Sequence, residues 1–134
     1  MRKEWKYLIN QGDLDLLYLN LLDNGFNVIH PSRSICSIYY DTESFLLFNY
    51  SEYGYSRRSK VRIRHYNNNV EEAFLEFKHK LDEAGTKTRQ SIFQYKKLSN
   101  IYSNKFKTFM IPTTLNVDLV PTIGVRYFRY YLLS

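Results

Sequence analysis

The sequence predicts an α+β fold, an antiparallel β-barrel with a few outer helices. Segments in which polar and apolar residues alternate recur along the chain, the signature of strands with one covered face. Aromatic residues make up 17% of the chain, mostly Tyr and Phe, which favour strands. Only 5 Gly and 3 Pro interrupt 134 residues, so a disordered low-complexity chain is excluded. This length suits a single domain over residues 1–134, and a hydrophobic content of 44% is enough for its core.

The first expected strand is Glu4 to Ile9, with Glu4 and Lys6 on one parity and Trp5, Tyr7 and Ile9 on the other. Asp13 then caps a helix from Leu14 to Asp23, stopped by Gly25. Its apolar stripe is Leu14, Leu17, Tyr18, Leu21 and Leu22. Ser34 to Tyr40 reads as a strand, and Asp41-Thr42-Glu43 opens a short helix from Phe45 to Tyr53, ended by Gly54. Ser59 to Tyr66 and Glu71 to Lys80 form a hairpin about the turn Asn67-Asn68-Asn69. After a turn at Leu81 to Gly85, Thr86 to Tyr95 is a strand. Ile101 to Met110 suits a helix, and Pro121 to Tyr131 closes as the sixth strand.

The polar parity of these strands is basic. Lys60, Arg62, Arg64 and Tyr66 share one face opposite Val61 and Ile63, and Glu76, Lys78 and Lys80 share one opposite Leu75 and Phe77. Lys87 and Arg89 repeat the arrangement, as do Val125, Tyr127 and Arg129. One alternating basic strand is ordinarily a solvated sheet face. Recurrence across strands points instead to a surface that neutralises a polyanion. In a barrel the basic parity would line the lumen, where unpaired charges are too costly without water, carboxylates or bound anions. Arg62 and Arg64 are suited to phosphate, because the planar guanidinium matches phosphate oxygens two at a time. Glu4 and Glu76 are carboxylates able to hold Mg²⁺ or Mn²⁺ between phosphate oxygens.

Other classes find less support. The net charge is +6 and the pI about 9.4, which favours an anionic partner without choosing one. The lone Cys36 allows no intrachain disulfide and fits a reducing compartment. Met1 to Lys6 is charged and lacks the apolar core of a signal peptide, and no apolar run approaches the ~20 residues of a membrane span. The expectation is a cytoplasmic protein. His30, His65 and His79 have no ligand-like spacing with Cys36, which argues against zinc. Neither a Gly-rich phosphate loop nor a Gly-x-Ser-x-Gly motif occurs.

Four stretches together resemble the VTC-type polyphosphate polymerase domain of the triphosphate tunnel metalloenzymes, relatives of the CYTH phosphatases. They are Arg2-x-Glu4-x-Lys6-Tyr7, Ser37-Ile38-Tyr39-Tyr40-Asp41-Thr42, Lys60-Val61-Arg62-Ile63-Arg64-x-Tyr66 with Glu76-x-Lys78, and Pro121-x-Ile123-x-Val125-x-Tyr127-x-Arg129. The resemblance implies an eight-stranded tunnel that transfers the γ-phosphate of ATP to a polyphosphate chain with Mn²⁺ or Mg²⁺. It implies catalytic roles for Arg62, Arg64, Lys78 and Arg129, and phosphate contacts from Lys6, Lys60, Lys80, Lys87, Arg89 and Tyr127. Either Lys87 or Arg89 supplies the next tunnel cation. Glu4 and Glu76 would face the lumen as candidate metal ligands. Arg2, where the simpler phosphatases have Glu, favours the polymerase branch. The family continues past the position of Ser134 with a further Arg-bearing strand, a metal-binding Glu and a late Lys. The expectation is therefore an incomplete barrel: either a second chain or self-association completes the tunnel, or the chain is a truncated or repurposed relative. The alternative function is a non-catalytic or regulatory subunit that binds polyphosphate or triphosphate; a nucleic-acid binder using the same face ranks last.

Overall fold

A computed structural model describes residues 5–81, 84–91 and 118–134. A short 3₁₀ turn at Gln11–Asp13 leads into α1 (Leu14–Asp23), followed by β1 (Asn27–Asp41), α2 (Leu46–Glu52), β2 (Arg57–Tyr66), β3 (Asn69–Leu81), β4 (Ala84–Ser91) and β5 (Val120–Leu133). The strands form one sheet in the order β4-β3-β2-β1-β5, with antiparallel pairing of β1 with β2, β2 with β3 and β3 with β4. The chain divides into two compact units, Met1–Ser32 with Tyr130–Ser134, and Arg33–Arg129.

The α+β reading holds, but among the described residues the sheet is open, where a barrel, expected to be incomplete, was read from the sequence. Closure needs strands that tilt and stagger until the two edges meet. Here β4 and β5 stand at opposite ends of the strand order. The expected first strand is also replaced: from Trp5 to Asn10 the chain is irregular and exposed. Alternation says which way side chains point once a ladder exists; it does not supply the ladder. Both helices lie where their punctuation put them, with Gly25 (φ 86°) and Gly54 (φ 67°) in the left-handed conformation that stops each. Asp13 makes no capping hydrogen bond; its carboxylate accepts instead from the Asn10 side chain at 3.2 Å. The expected helix from Ile101 to Met110 lies outside the described residues.

In the first unit, α1 has no fully buried residue, and Tyr18 meets the Tyr130 ring at 5.3 Å. His30 similarly meets Tyr131 at 5.2 Å.

The second unit holds the core. The apolar parity of β1, β2 and β3 is buried as one layer: Ile38 and Tyr40, Val61 and Ile63, and Ala73, Leu75 and Phe77, covered by Leu47 of α2 and by Leu119. Register makes this a true layer, since Ile38 faces Ile63, Ile63 faces Leu75, and Val61 faces both Tyr40 and Phe77. The β2–β3 hairpin turns through Asn67 and Asn68, both at positive φ (50° and 60°), as a two-residue turn of this twist requires. Asn tolerates that conformation better than other side chains. The turn is tied to β1, because the Ser34 N–H donates to the Asn67 side chain and the Asn67 N–H donates to the Ser34 carbonyl.

Asp41 joins this layer to α2. Buried at the end of β1, its carboxylate accepts the N–H groups of Thr42 (2.7 Å), Leu47 (2.8 Å) and Phe48 (2.9 Å), while Thr42 Oγ1 accepts from the Leu46 N–H at 3.0 Å. The first turn of α2 is thus capped from outside the helix, with a negative charge at its positive end. That support holds Phe45, the residue before the helix, in a left-handed conformation (φ 56°) unusual for a bulky side chain.

Toward the hairpin end, His65 faces Cys36 across the pair. It is buried, and its ring nitrogens find no partner among the described residues. Burial, helped by the charge of Arg126, lowers its pKa below the ordinary histidine value.

Asp41 and His65 each lead to a measurable outcome. Asp41→Ala should lower the unfolding free energy by about 2 kcal/mol or more, measured by urea denaturation, because it strands donors at a buried helix start; a loss within error would remove Asp41 as the anchor of α2. For His65 the folded pKa lies below the unfolded one. Its contribution is therefore complete at alkaline pH and is lost as pH falls through the unfolded value near 6.5. Unfolding free energy should drop between pH 8 and 5.5, and less so in His65→Phe.

Candidate functional site

The second face of the sheet carries the charge. Lys60 stands opposite Lys78, and Lys78 opposite Lys87, so three ammonium groups lie in a row across β2, β3 and β4. Like charges directly opposite one another destabilise a sheet. Among the described residues, neither Lys60 nor Lys78 has an ion-pair partner. The next row is Tyr39, Arg62, Glu76 and Arg89, and beyond it Ser37 faces Arg64 and Arg64 faces Phe74.

Glu76 is 3% exposed. Arg62 Nε and Nη2 both reach its Oε2 at 2.7 Å, and Oε1 lies 3.3 Å from Lys87 Nζ and 3.7 Å from Arg89 Nε. Burial works to raise its pKa, but the hydrogen bond and charge of Arg62, then the charges of Lys87 and Arg64, hold it below the usual carboxylate range. Arg62 also donates from Nη1 to the Tyr39 hydroxyl at 3.0 Å. Burial alone would lower the Arg62 pKa; the Tyr39 and Glu76 contacts raise it. A guanidinium has five N–H donors. These bonds leave one N–H on each terminal nitrogen of Arg62, a fork able to take two phosphate oxygens.

Arg64 is the most buried of these cations at 8% exposure, and Nε donates to Ser37 Oγ at 2.9 Å. Among the described residues no carboxylate pairs with it. The Arg89 guanidinium lies 3.5 Å from the centre of the Phe74 ring and 6.0 Å from that of Tyr66, which Arg33 also covers at 4.3 Å. A cleft of about 340 Å³ is lined by Tyr39, Lys60, Arg62, Glu76, Phe77, Lys78 and Lys87.

The sheet therefore brings together Lys60, Arg62, Arg64, Glu76, Lys78, Lys87 and Arg89. Between Lys87 and Arg89, the structure puts Lys87 on the cleft and lays Arg89 on Phe74. Lys80 is half-buried nearer the end of β3, opposite Arg58 and Gly85. Tyr127 and Arg129 pair with each other on β5, Arg129 Nη2 donating to the Tyr127 hydroxyl at 3.2 Å. Lys6 is exposed on the irregular stretch of the first unit, outside any strand. Glu4 lies outside the described residues.

Sequence reasoning missed the supporting groups Ser37, Tyr39 and Phe74. Their parity was readable, but the register that places Tyr39 on Arg62 and Ser37 on Arg64 was not. Among the described residues no three His, Cys, Asp or Glu side chains converge on a metal-ion site. Glu76 has both oxygens engaged by cations.

Glu76 should matter for stability with a definite acid limb. Its folded pKa lies below the unfolded one, so its contribution is complete above about 4.5 and is lost as pH falls through the lowered value. Glu76→Ala should cost about 3 kcal/mol at pH 7 by leaving Arg62 half-buried without its partner. In Glu76→Gln the unfolding free energy should change less between pH 5 and 3 than in the parent; equal slopes would contradict the ion cluster.

A family model for the VTC domain matches residues 1–133. No curated protein and no solved structure matches the chain.

Proposed function

The chain belongs to the VTC domain family, which links it to polyphosphate, and from that premise we propose that the cleft of β2, β3 and β4 binds a triphosphate or polyphosphate chain. The observation that carries this reading is the row Lys60, Lys78 and Lys87 beside the buried Arg64. Such an excess of cations is stable only with an anion or ample water over it. Phosphate oxygens satisfy the free fork of Arg62, the ammonium groups of Lys60 and Lys78 and the remaining donors of Arg64.

The activity proposed is phosphoryl transfer. A terminal oxygen of the polyphosphate chain attacks the γ-phosphorus of ATP, forming a new P–O–P bond. The bond from that phosphorus to the β-phosphate bridging oxygen breaks, and ADP leaves. Such transfer asks mainly for positioning and charge neutralisation. Arg62, held by Glu76 and Tyr39, and Arg64, held by Ser37, supply both without moving. Lys78 neutralises charge from the neighbouring strand, and Arg129 on β5 is proposed to act at the same phosphates. Family membership implies a divalent cation, Mn²⁺ or Mg²⁺, which would draw charge from the phosphate oxygens; no step is assigned to it.

A second reading, binding without turnover, is favoured by the commitment of Glu76 to Arg62, Lys87 and Arg89. Calorimetry with tripolyphosphate in EDTA tests the shared claim. The double variant Arg62→Ala and Arg64→Ala should weaken binding by about 100-fold or more, since charge-assisted hydrogen bonds contribute about 1.5–3 kcal/mol each. Unchanged affinity would remove the cleft as the site. Incubation with ATP and Mn²⁺ then separates the readings: polyphosphate product supports transfer, and binding without product supports the second.

A further inference from the structure

Cys36 and His65 are directly opposed residues of β1 and β2. By parity they share the core face with Ile38 and Ile63, on the side away from the cationic cleft, and continue that layer toward the hairpin turn. An apolar pair would suit this place. The chain instead buries a thiol at 8% exposure against an imidazole at 2%. Both ring nitrogens of His65 lack a hydrogen-bond partner among the described residues. Leaving a buried polar group unpaired is expensive, and where a native fold does so the usual reasons are a functional role or an ion. The β2–β3 register also shifts between Arg64 and Tyr66, so His65 stands at an irregularity of the ladder. Such bulges re-aim a side chain and recur beside functional sites.

Thiolate sulfur and imidazole nitrogen are ligands for soft cations. Metal–sulfur and metal–nitrogen bonds of about 2.3 and 2.0 Å set the two donors roughly 4 Å apart across one ion. Directly opposed residues have Cβ atoms about 4.5–5.5 Å apart, a spacing that such an ion can bridge. Charge then selects the ion. Coordination releases the Cys36 proton to solvent and leaves a thiolate beside a neutral imidazole. A monovalent cation makes that group neutral. A divalent one leaves a net positive charge buried near Arg126 of β5, whose charge already acts on His65 and whose Nη2 donates to Asn68 Oδ1 of the hairpin turn at 2.9 Å. Two donors also fall short of the four that structural zinc takes, and among the described residues no third His, Cys, Asp or Glu joins them. We infer that Cys36 and His65 form a two-coordinate site for a soft monovalent cation, copper(I). Burial favours neutral His65, the form that binds metal. The ion satisfies one ring nitrogen and ties β1 to β2 at the hairpin end.

The test titrates the full chain with copper(I), anaerobically and in competition with a chromophoric copper(I) chelator, for the parent, Cys36→Ala, His65→Phe and, as a control, the exposed His30→Ala. The expected result is one copper per chain, an ultraviolet thiolate-to-copper absorption band and a melting temperature raised by the ion. Cys36→Ala should abolish the band, His65→Phe should weaken affinity by about 100-fold or more, and His30→Ala should change neither. Melting curves without copper check that each variant folds. X-ray absorption of the loaded parent needs no substitution and should show one sulfur and one nitrogen on the ion. The inference fails if the parent binds no copper, if the band survives Cys36→Ala, if affinity is unchanged in a folded His65→Phe, or if sulfur is bound without nitrogen. Zinc(II) held as tightly as copper(I) would overturn it too, since charge would then not select the ion.

Discussion

Glu76, a carboxylate nearly closed off from water, sets the electrostatics of the basic face. Without it Arg62, Lys87 and Arg89 would crowd a small area with unopposed charge, and the desolvation of Arg62 would be offset by Tyr39 alone. With it, Arg62 is fixed from two sides, by Glu76 and by Tyr39, and presents only its outer donors. The carboxylate does not neutralise the face. Lys60, Lys78 and Arg64 keep their charge free of carboxylate partners among the described residues. The result is a rigid cationic surface, and rigidity is what makes charge useful for holding an anion in one geometry.

The rest of the second unit serves to hold that surface flat against a core. Strands β2 and β3, which present cations on one side, bury Val61, Ile63, Leu75 and Phe77 on the other, and β1 adds Ile38 to the same layer. A slip of one residue in register would move every one of these to the wrong side. The Asn67–Asn68 turn fixes the hairpin register and its link to Ser34 fixes β1. Asp41 then binds α2 over the far end of the layer, which places Leu47 in the core and Phe45 and Phe48 at the mouth of a second cavity, of about 630 Å³.

Much of this was legible from alternation. The parity of Lys60, Arg62 and Arg64 against Val61 and Ile63 gave both faces of β2, and Glu76 with Lys78 gave those of β3, because a period of two fixes side-chain direction without knowledge of the fold. Helix ends were legible because Gly25 and Gly54 carry their own stop signals. What the residues do to one another was not. Glu76 read as a metal ligand in isolation, and only register reveals the arginine and lysine that engage its oxygens. The segment from Trp5 to Ile9 shows the converse error: its alternation is real, but no neighbouring strand among the described residues turns it into a ladder. Barrel closure was beyond local pattern altogether, since it depends on how distant edges meet.

The most direct measurement is a crystal structure of the chain with tripolyphosphate bound. The account predicts phosphate oxygens within hydrogen-bond reach of the outer Arg62 nitrogens, of Arg64 and of Lys60 and Lys78, with Glu76 still bonded to Arg62 beneath them. An anion bound on another surface, or one whose entry requires Glu76 to release Arg62 and swing away, would contradict it.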